Sequence, residues 1–110
     1  MLATRLETNR KIGNVDGIAA AHWGLATIEL RRGKVVEAAP QLAEAWSLFT
    51  RLGRADGIAA IGEIFGQVLV AAGQRDQAIA ILRRSVEAYR KLGREERAHE
   101  VEALVAAARG

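Results

Sequence analysis

Two histidines, His22 and His99, are the side chains of this 110-residue sequence best suited to metal or acid–base chemistry, and they lie far apart in the chain. His99-Glu100 opens like the helical zinc-protease motif, in which a second histidine four residues on puts both imidazoles on one face. Position 103 is alanine, so that pair cannot form. Phosphate cradling needs a hydroxyl residue after Gly-Lys, but Gly33-Lys34 is followed by Val35, and no glycine triplet has dinucleotide spacing. There is no cysteine, which excludes a disulfide framework, a thiolate zinc site and a cysteine nucleophile, and suits a reducing compartment. The acidic cluster Glu95, Glu96, Glu100 and Glu102 reads as the solvated start of a helix, where carboxylates meet the positive dipole end. The expectation is a protein that is not an enzyme and uses no cofactor and no metal.

The charge balance is 16 basic against 13 acidic residues, a net +3. That small excess, with no exposed aromatics interleaved among the cations, makes nucleic-acid binding the weakest reading considered. Arg31, Arg32, Arg51, Arg54, Arg83, Arg84, Arg90, Lys91, Arg94 and Arg97 cluster at expected helix ends, where cations already have a structural role. The longest apolar runs, Val68 to Ala72 and Ala103 to Ala108, fall short of the roughly 20 residues that span a membrane. Charges in the opening Met1-Leu2-Ala3-Thr4-Arg5-Leu6-Glu7 do not suit a signal peptide, so a cytoplasmic location is expected.

The elements that must position any site are helices. One proline and five aromatic residues leave little for strands, and alanine is abundant. Gly13, Gly33, Gly53, Gly73 and Gly93 recur on a constant beat, each after a cationic or apolar residue that could end a helix. Carboxylates follow several of them, as in Asn14-Val15-Asp16, Arg75-Asp76 and Arg94-Glu95-Glu96. Five helices with tight turns are expected, forming hairpins of 15–32 over 34–52 and 55–72 over 75–92.

Two beats make one repeat. Gly13, Asp16, Gly17, Ile18, Ala19, Ala20 overlie Gly53, Asp56, Gly57, Ile58, Ala59, Ala60, and Gly33, Ala38, Leu42, Phe49 overlie Gly73, Ala78, Leu82, Tyr89. The chain therefore divides into 1–12, the second helix of a partial repeat carrying Leu2 and Leu6; repeat one, 13–52; repeat two, 53–92; and a terminal helix, 93–110. Apolar stripes at helical spacing define the core: Ile18, Ala21, Leu25, Ile28; then Val35, Ala38, Ala39, Leu42, Ala45, Phe49, Leu52; then Ile58, Ile61, Phe65, Val68, Leu69, Ala72. Ala26, Ala38, Gly66 and Ala78 are small where hairpin helices must approach closely, and Pro40 is expected to bend its helix locally.

Leu25-Ala26, Gly33, Ala38, Leu42, Ala45 and Phe65-Gly66, Leu69, Gly73, Ala78, Leu82 resemble the tetratricopeptide-repeat pattern. The longer period, with Arg51-Leu52-Gly53-Arg54-Ala55-Asp56-Gly57 and Ala88-Tyr89-Arg90-Lys91-Leu92-Gly93, resembles the long-helix variant of kinesin light chains and the tails of large bacterial regulators. Ala26, Glu29 and Ser85 depart from the pattern. The resemblance implies an all-α antiparallel α-α hairpin solenoid of about two and a half repeats, acting as a protein-interaction scaffold. In that family the first helix of each hairpin lines the concave face, which implies a partner-binding set of Ala20, Trp23, Thr27, Leu30, Arg31, Glu63, Gln67 and Val70. Trp23 falls off the stripe of Ile18, Ala21, Leu25 and Ile28, so it is either an interface anchor, with Arg31, or a contact to the adjoining repeat.

The function expected is therefore binding of a protein or peptide, within a larger bacterial regulatory protein. A self-assembling structural unit is the alternative. A homodimer through exposed terminal helices is expected, because Leu2 and Leu6 at one end and Val101, Leu104, Val105 and Ala108 at the other lack a covering helix.

Overall fold

The computed structural model describes residues 14–110, with side chains from residue 17 onward. Among the described residues every regular element is an α-helix: α1 (Asn14–Arg31), α2 (Val35–Leu52), α3 (Ala55–Ala71), α4 (Arg75–Lys91) and α5 (Glu95–Arg109). Each helix packs on the next, giving a stack of α-α hairpins. The segment 1–12 expected to close a partial repeat, with Leu2, Leu6 and the first beat glycine, lies outside the described residues.

Glycine stops the helices as the beat predicts. Gly33, Gly53, Gly73 and Gly93 have φ of 74°, 65°, 81° and 75°, the left-handed region that only glycine enters without a Cβ penalty. The residue after each reaches back to an orphan carbonyl: the N–H of Lys34 to Glu29 at 2.8 Å, Arg54 to Phe49 at 3.1 Å, Gln74 to Leu69 at 2.8 Å and Arg94 to Tyr89 at 2.9 Å. Helix starts are marked less strongly. Lys34, Arg54, Gln74 and Arg94 occupy the N-cap with no side-chain cap, and Glu37, Asp56, Asp76 and Glu95 supply first-turn charge instead. Helix α2 runs through Pro40 without interruption.

Helix α3 lies between α2 and α4 and buries nearly all of its length, including Ile58, Ile61, Phe65, Val68 and Leu69. Its approach to α4 is close enough that a Cβ on Gly66 would collide with Leu82, and one on Gly62 would crowd Trp46 and Ser85. Ser85, fully buried, donates its hydroxyl to the Ala59 carbonyl at 2.6 Å, so the departure from alanine at this position ties the two helices together. Ala26, Ala38 and Ala78 are likewise fully buried, as their small size implies.

Two expectations about the ends are corrected. On α1 the buried positions are Ala19 and Ala26, with Trp23 and Leu30 packed beside them. Ile18, Leu25 and Ile28 are 43%, 48% and 47% exposed. The same register positions on α3, Ile58, Phe65 and Val68, are buried, whereas the segment that precedes α1 lies outside the described residues. On α5, Ala98, Val101, Val105 and Ala108 are buried against a stack in which α4 is the principal neighbour. That stripe is therefore already covered within the chain, and only Leu104 remains half-exposed.

Candidate partner-binding groove

Repeat-equivalent positions meet at one node in each hairpin, with opposite chemistry. In the first, Trp23 of α1 stands edge-on to Phe49 of α2, ring centroids 6.3 Å apart and planes at 88°, and a Cβ on Gly57 would strike the Phe49 ring. One repeat later these positions are Glu63, Tyr89 and Arg97. Tyr89 donates its hydroxyl to Glu63 Oε1 at 2.8 Å, Arg97 Nε donates to the same oxygen at 3.1 Å, and the far guanidinium nitrogen of Arg97 pairs with Glu63 Oε2. Arg97 also pairs with Glu100, and the Arg94 guanidinium lies 5.8 Å from the Tyr89 ring centre. An aromatic contact at the first node becomes a hydrogen-bonded ion pair across α3, α4 and α5 at the second.

This geometry decides where the expected binding residues stand. Trp23 belongs to the packed side of α1 and serves the contact to the adjoining helix. Thr27 is half-buried and donates its hydroxyl to the Trp23 carbonyl at 2.9 Å. Leu30 packs on the core, while Ala20 and Arg31 are exposed. Glu63 is buried in the ionic node. Gln67, exposed, donates its amide to the Glu63 carbonyl at 3.1 Å, and Val70 is exposed beside it in sequence.

Gln67 and Val70 do share a concave feature. With Ala71 of α3, Leu82 of α4, and Leu104, Ala107 and Ala108 of α5 they line an open, mainly apolar hollow of about 290 Å³. None of the α1 residues lines it. The hollow runs along α3 and α5 beyond the ionic node, so Glu63 and Arg97 fix the two walls whose other ends form it. The α5 contributors were absent from the expected site; laying α5 over α3 in the forty-residue register places Ala107 on Gln67, but Leu104 and Ala108 fall on Ile64 and Val68, outside the expected set.

The node perturbs its tyrosine. Burial, and then the hydrogen bond to the Glu63 carboxylate, push the Tyr89 phenol above its ordinary pKa. A proton held more tightly in the folded state gives stability that is present below the unfolded tyrosine value of about 10 and lost as pH rises through the folded one. Tyr89 is the only tyrosine, so ultraviolet titration of phenolate absorbance reads it without overlap from another phenol. The expected result is a midpoint above that of the urea-unfolded chain, with stability falling over the same interval in the wild type and not in Tyr89→Phe. Equal midpoints folded and unfolded would contradict the node.

Other ionisable side chains form contacts outside the node. Arg54 holds the Asp56 carboxyl below its usual range through a side-chain hydrogen bond, at 3.3 Å. Arg90 pairs with Glu102 at 2.5 Å and Glu95 at 3.7 Å, and Arg84 stacks 5.7 Å from the Trp46 ring centre. His22 donates from Nδ1 to Gln41 Oε1 at 2.5 Å, and His99 lies 3.5 Å from Glu102. Among the described residues no group of three His, Asp or Glu side chains is placed to hold a metal, and no helix is long and apolar enough to cross a membrane. In comparisons with known proteins, no family model, no curated protein and no solved structure matches this chain.

Proposed function

We propose that this chain is a non-enzymatic, tetratricopeptide-like interaction module that binds a peptide or protein partner on the face formed by α3 and α5. The observation that carries the proposal is the open apolar hollow between Val70 and Leu104, with the Gln67 amide at its edge. An apolar anchor side chain flanked by backbone polar groups is the ligand this chemistry accommodates, since apolar burial supplies affinity and a few placed polar groups supply orientation. The repeat resemblance supports the same reading, and the absence of cysteine fits a cytoplasmic setting within a larger regulatory protein.

The test is capture of partners from native lysate by the wild type and by Leu104→Glu and Val70→Glu variants. Both variants should keep the wild-type helix content and melting temperature, because both side chains are partly or largely exposed, and should lose captured partner by about tenfold or more. Trp23→Ala is expected to behave oppositely, lowering the melting temperature through loss of the Phe49 contact while leaving intrinsic affinity unchanged. Affinity lost in Trp23→Ala at constant stability, with Leu104→Glu still binding, would move the site back to α1. A nucleic-acid ligand would be marked by steep salt dependence, which is not expected of a hollow with this lining.

A further inference from the structure

Helix α5 is held along two edges by ion pairs to different neighbours. Its buried stripe of Ala98, Val101, Val105 and Ala108 rests mainly on α4, and Arg90 of α4 ties one edge through Glu102 at 2.5 Å and Glu95 at 3.7 Å. Against α3 its packing is slight. There Glu63 and Arg97 supply the link, and among the described residues no other hydrogen bond or ion pair joins these two helices. Alanine at both ends of the stripe gives α5 a shallow footing on α4, because a methyl group makes only a low ridge.

Beyond the link the same two helices form the walls of the hollow. The Glu63 carbonyl receives the Gln67 amide one turn on, Val70 lies about two turns from Glu63, and Leu104 on the facing wall lies about two turns from Arg97. No charged side chain lines the hollow. An apolar ligand gains from both walls only at van der Waals spacing, since a gap of roughly 0.5–1 Å forfeits a quarter to a half of each contact. The spacing is what the link controls. Each member of the pair also has a second partner that stays with it: Glu63 keeps the Tyr89 hydroxyl at 2.8 Å, and Arg97 keeps Glu100 on its own helix. Separation therefore strands neither charge, and the Arg97 side chain, 40% exposed, is open to salt. In the first repeat the register places Trp23, Phe49 and Gly57 at these positions, with no charge to screen.

We infer that the Glu63 and Arg97 pair is a latch for the hollow: closed, it sets α5 at the spacing from α3 at which an apolar ligand touches both walls; open, it lets α5 roll away on α4. The inference rests on the hollow being the binding site and adds what regulates it. Its consequence is specific. An uncharged ligand in a hollow without charges is bound more weakly as ionic strength rises, because the charges that salt screens belong to the latch and not to the ligand. By linkage, a bound ligand in turn holds the latch shut. Arg97 is thus a positioning residue that acts through the wall it places.

The test titrates the full chain with N-phenyl-1-naphthylamine, a neutral apolar dye, at about 0.01 M and about 1 M sodium chloride, where the screening length falls from about 30 Å to about 3 Å. The wild type should lose about threefold or more in affinity at the higher salt, the scale of one partly exposed ion pair. Glu63→Leu combined with Arg97→Met, which replaces the pair by apolar groups, should bind the dye equally at both, whereas Arg97→Lys, which keeps the charge, should keep the salt dependence. Because the chain has no cysteine, Val70→Cys with Ala107→Cys carries one spin label on each wall. The distance distribution between the labels should broaden at high salt, and should not do so when the paired apolar replacement is added. Circular dichroism should show the same helix content at both salts, which separates an open latch from unfolding. Equal dye affinity at both salts in the wild type, with Leu104→Glu abolishing binding, overturns the latch and leaves the hollow standing; a salt effect of the same size in the apolar replacement overturns it equally. Dye binding that Leu104→Glu does not touch, or no binding at all, removes the hollow and the latch with it.

Discussion

Leu82→Ala should lower the unfolding free energy by about 2–5 kcal/mol, the usual range for truncating a fully buried leucine. Leu82 is 1% exposed and lies where Gly66 brings α3 onto α4, so the cavity opens at the middle of the stack, with α3 and α5 both losing contacts. The sharper test is its coupling to Gly66. A methyl group on Gly66 would press on Leu82, which costs about 1–3 kcal/mol in a packed core, offset in part by the roughly 1 kcal/mol that alanine gains over glycine in a helix. With Leu82 truncated, that methyl enters vacated space. Urea denaturation should therefore give a double variant less destabilised than the two single changes together, by at least about 0.5 kcal/mol. Strict additivity would mean that the seam is looser than the side chains indicate.

Arg97→Met is expected to be the second most damaging change, at about 1–3 kcal/mol. It leaves the Glu63 carboxylate, with 11% of its side chain exposed, holding the Tyr89 hydroxyl alone. The Arg97 side chain is itself 40% exposed, which keeps the figure below the cost of breaking a fully buried pair, because water and salt already screen it. Glu63→Gln should cost less than Arg97→Met, since an amide oxygen still accepts from Tyr89 and carries no charge to strand. Glu63→Leu combined with Arg97→Met should recover most of the loss, as replacing both members of an inward-facing pair by apolar groups does elsewhere. Thermal melts of the three variants at low and high salt check the order; Arg97→Met melting with the wild type would remove the ion pair from any structural role.

What was legible beforehand depends on which residues are sterically obliged. The glycine beat could be read directly, because a left-handed residue after a helix excludes nearly every side chain but hydrogen, and all four described beat glycines adopt it. Helix starts were vaguer because the N-cap residues are Lys, Arg and Gln, which announce nothing. The exposure of Ile18, Leu25 and Ile28 could not be read, because the same register positions on α3 and α5 are buried against the preceding helix. In the site, Gln67 and Val70 were found from their place on α3, while Leu104 and Ala107 were not. Ala107 overlies Gln67 in the forty-residue register, but Leu104 overlies Ile64, a position outside the expected set.

The two nodes also bear on how a chain of two hairpins built in one register avoids folding onto the wrong half. Hairpins this alike invite cross-pairing, a hazard of repeat proteins generally. Suppose α1 met α4 in place of α2: Trp23 would face Tyr89 and Arg97, stranding a phenol and a guanidinium. If α3 took α2 in place of α4 as its hairpin partner in the reciprocal error, the Glu63 carboxylate would be driven against the Phe49 ring with no donor in reach. Each mistake buries polar groups unpaired, at about 1–3 kcal/mol apiece, whereas the correct pairing satisfies all of them. Six positions thus act as a lock and its key, distinguishing copies that the glycine beat makes interchangeable in length and pitch.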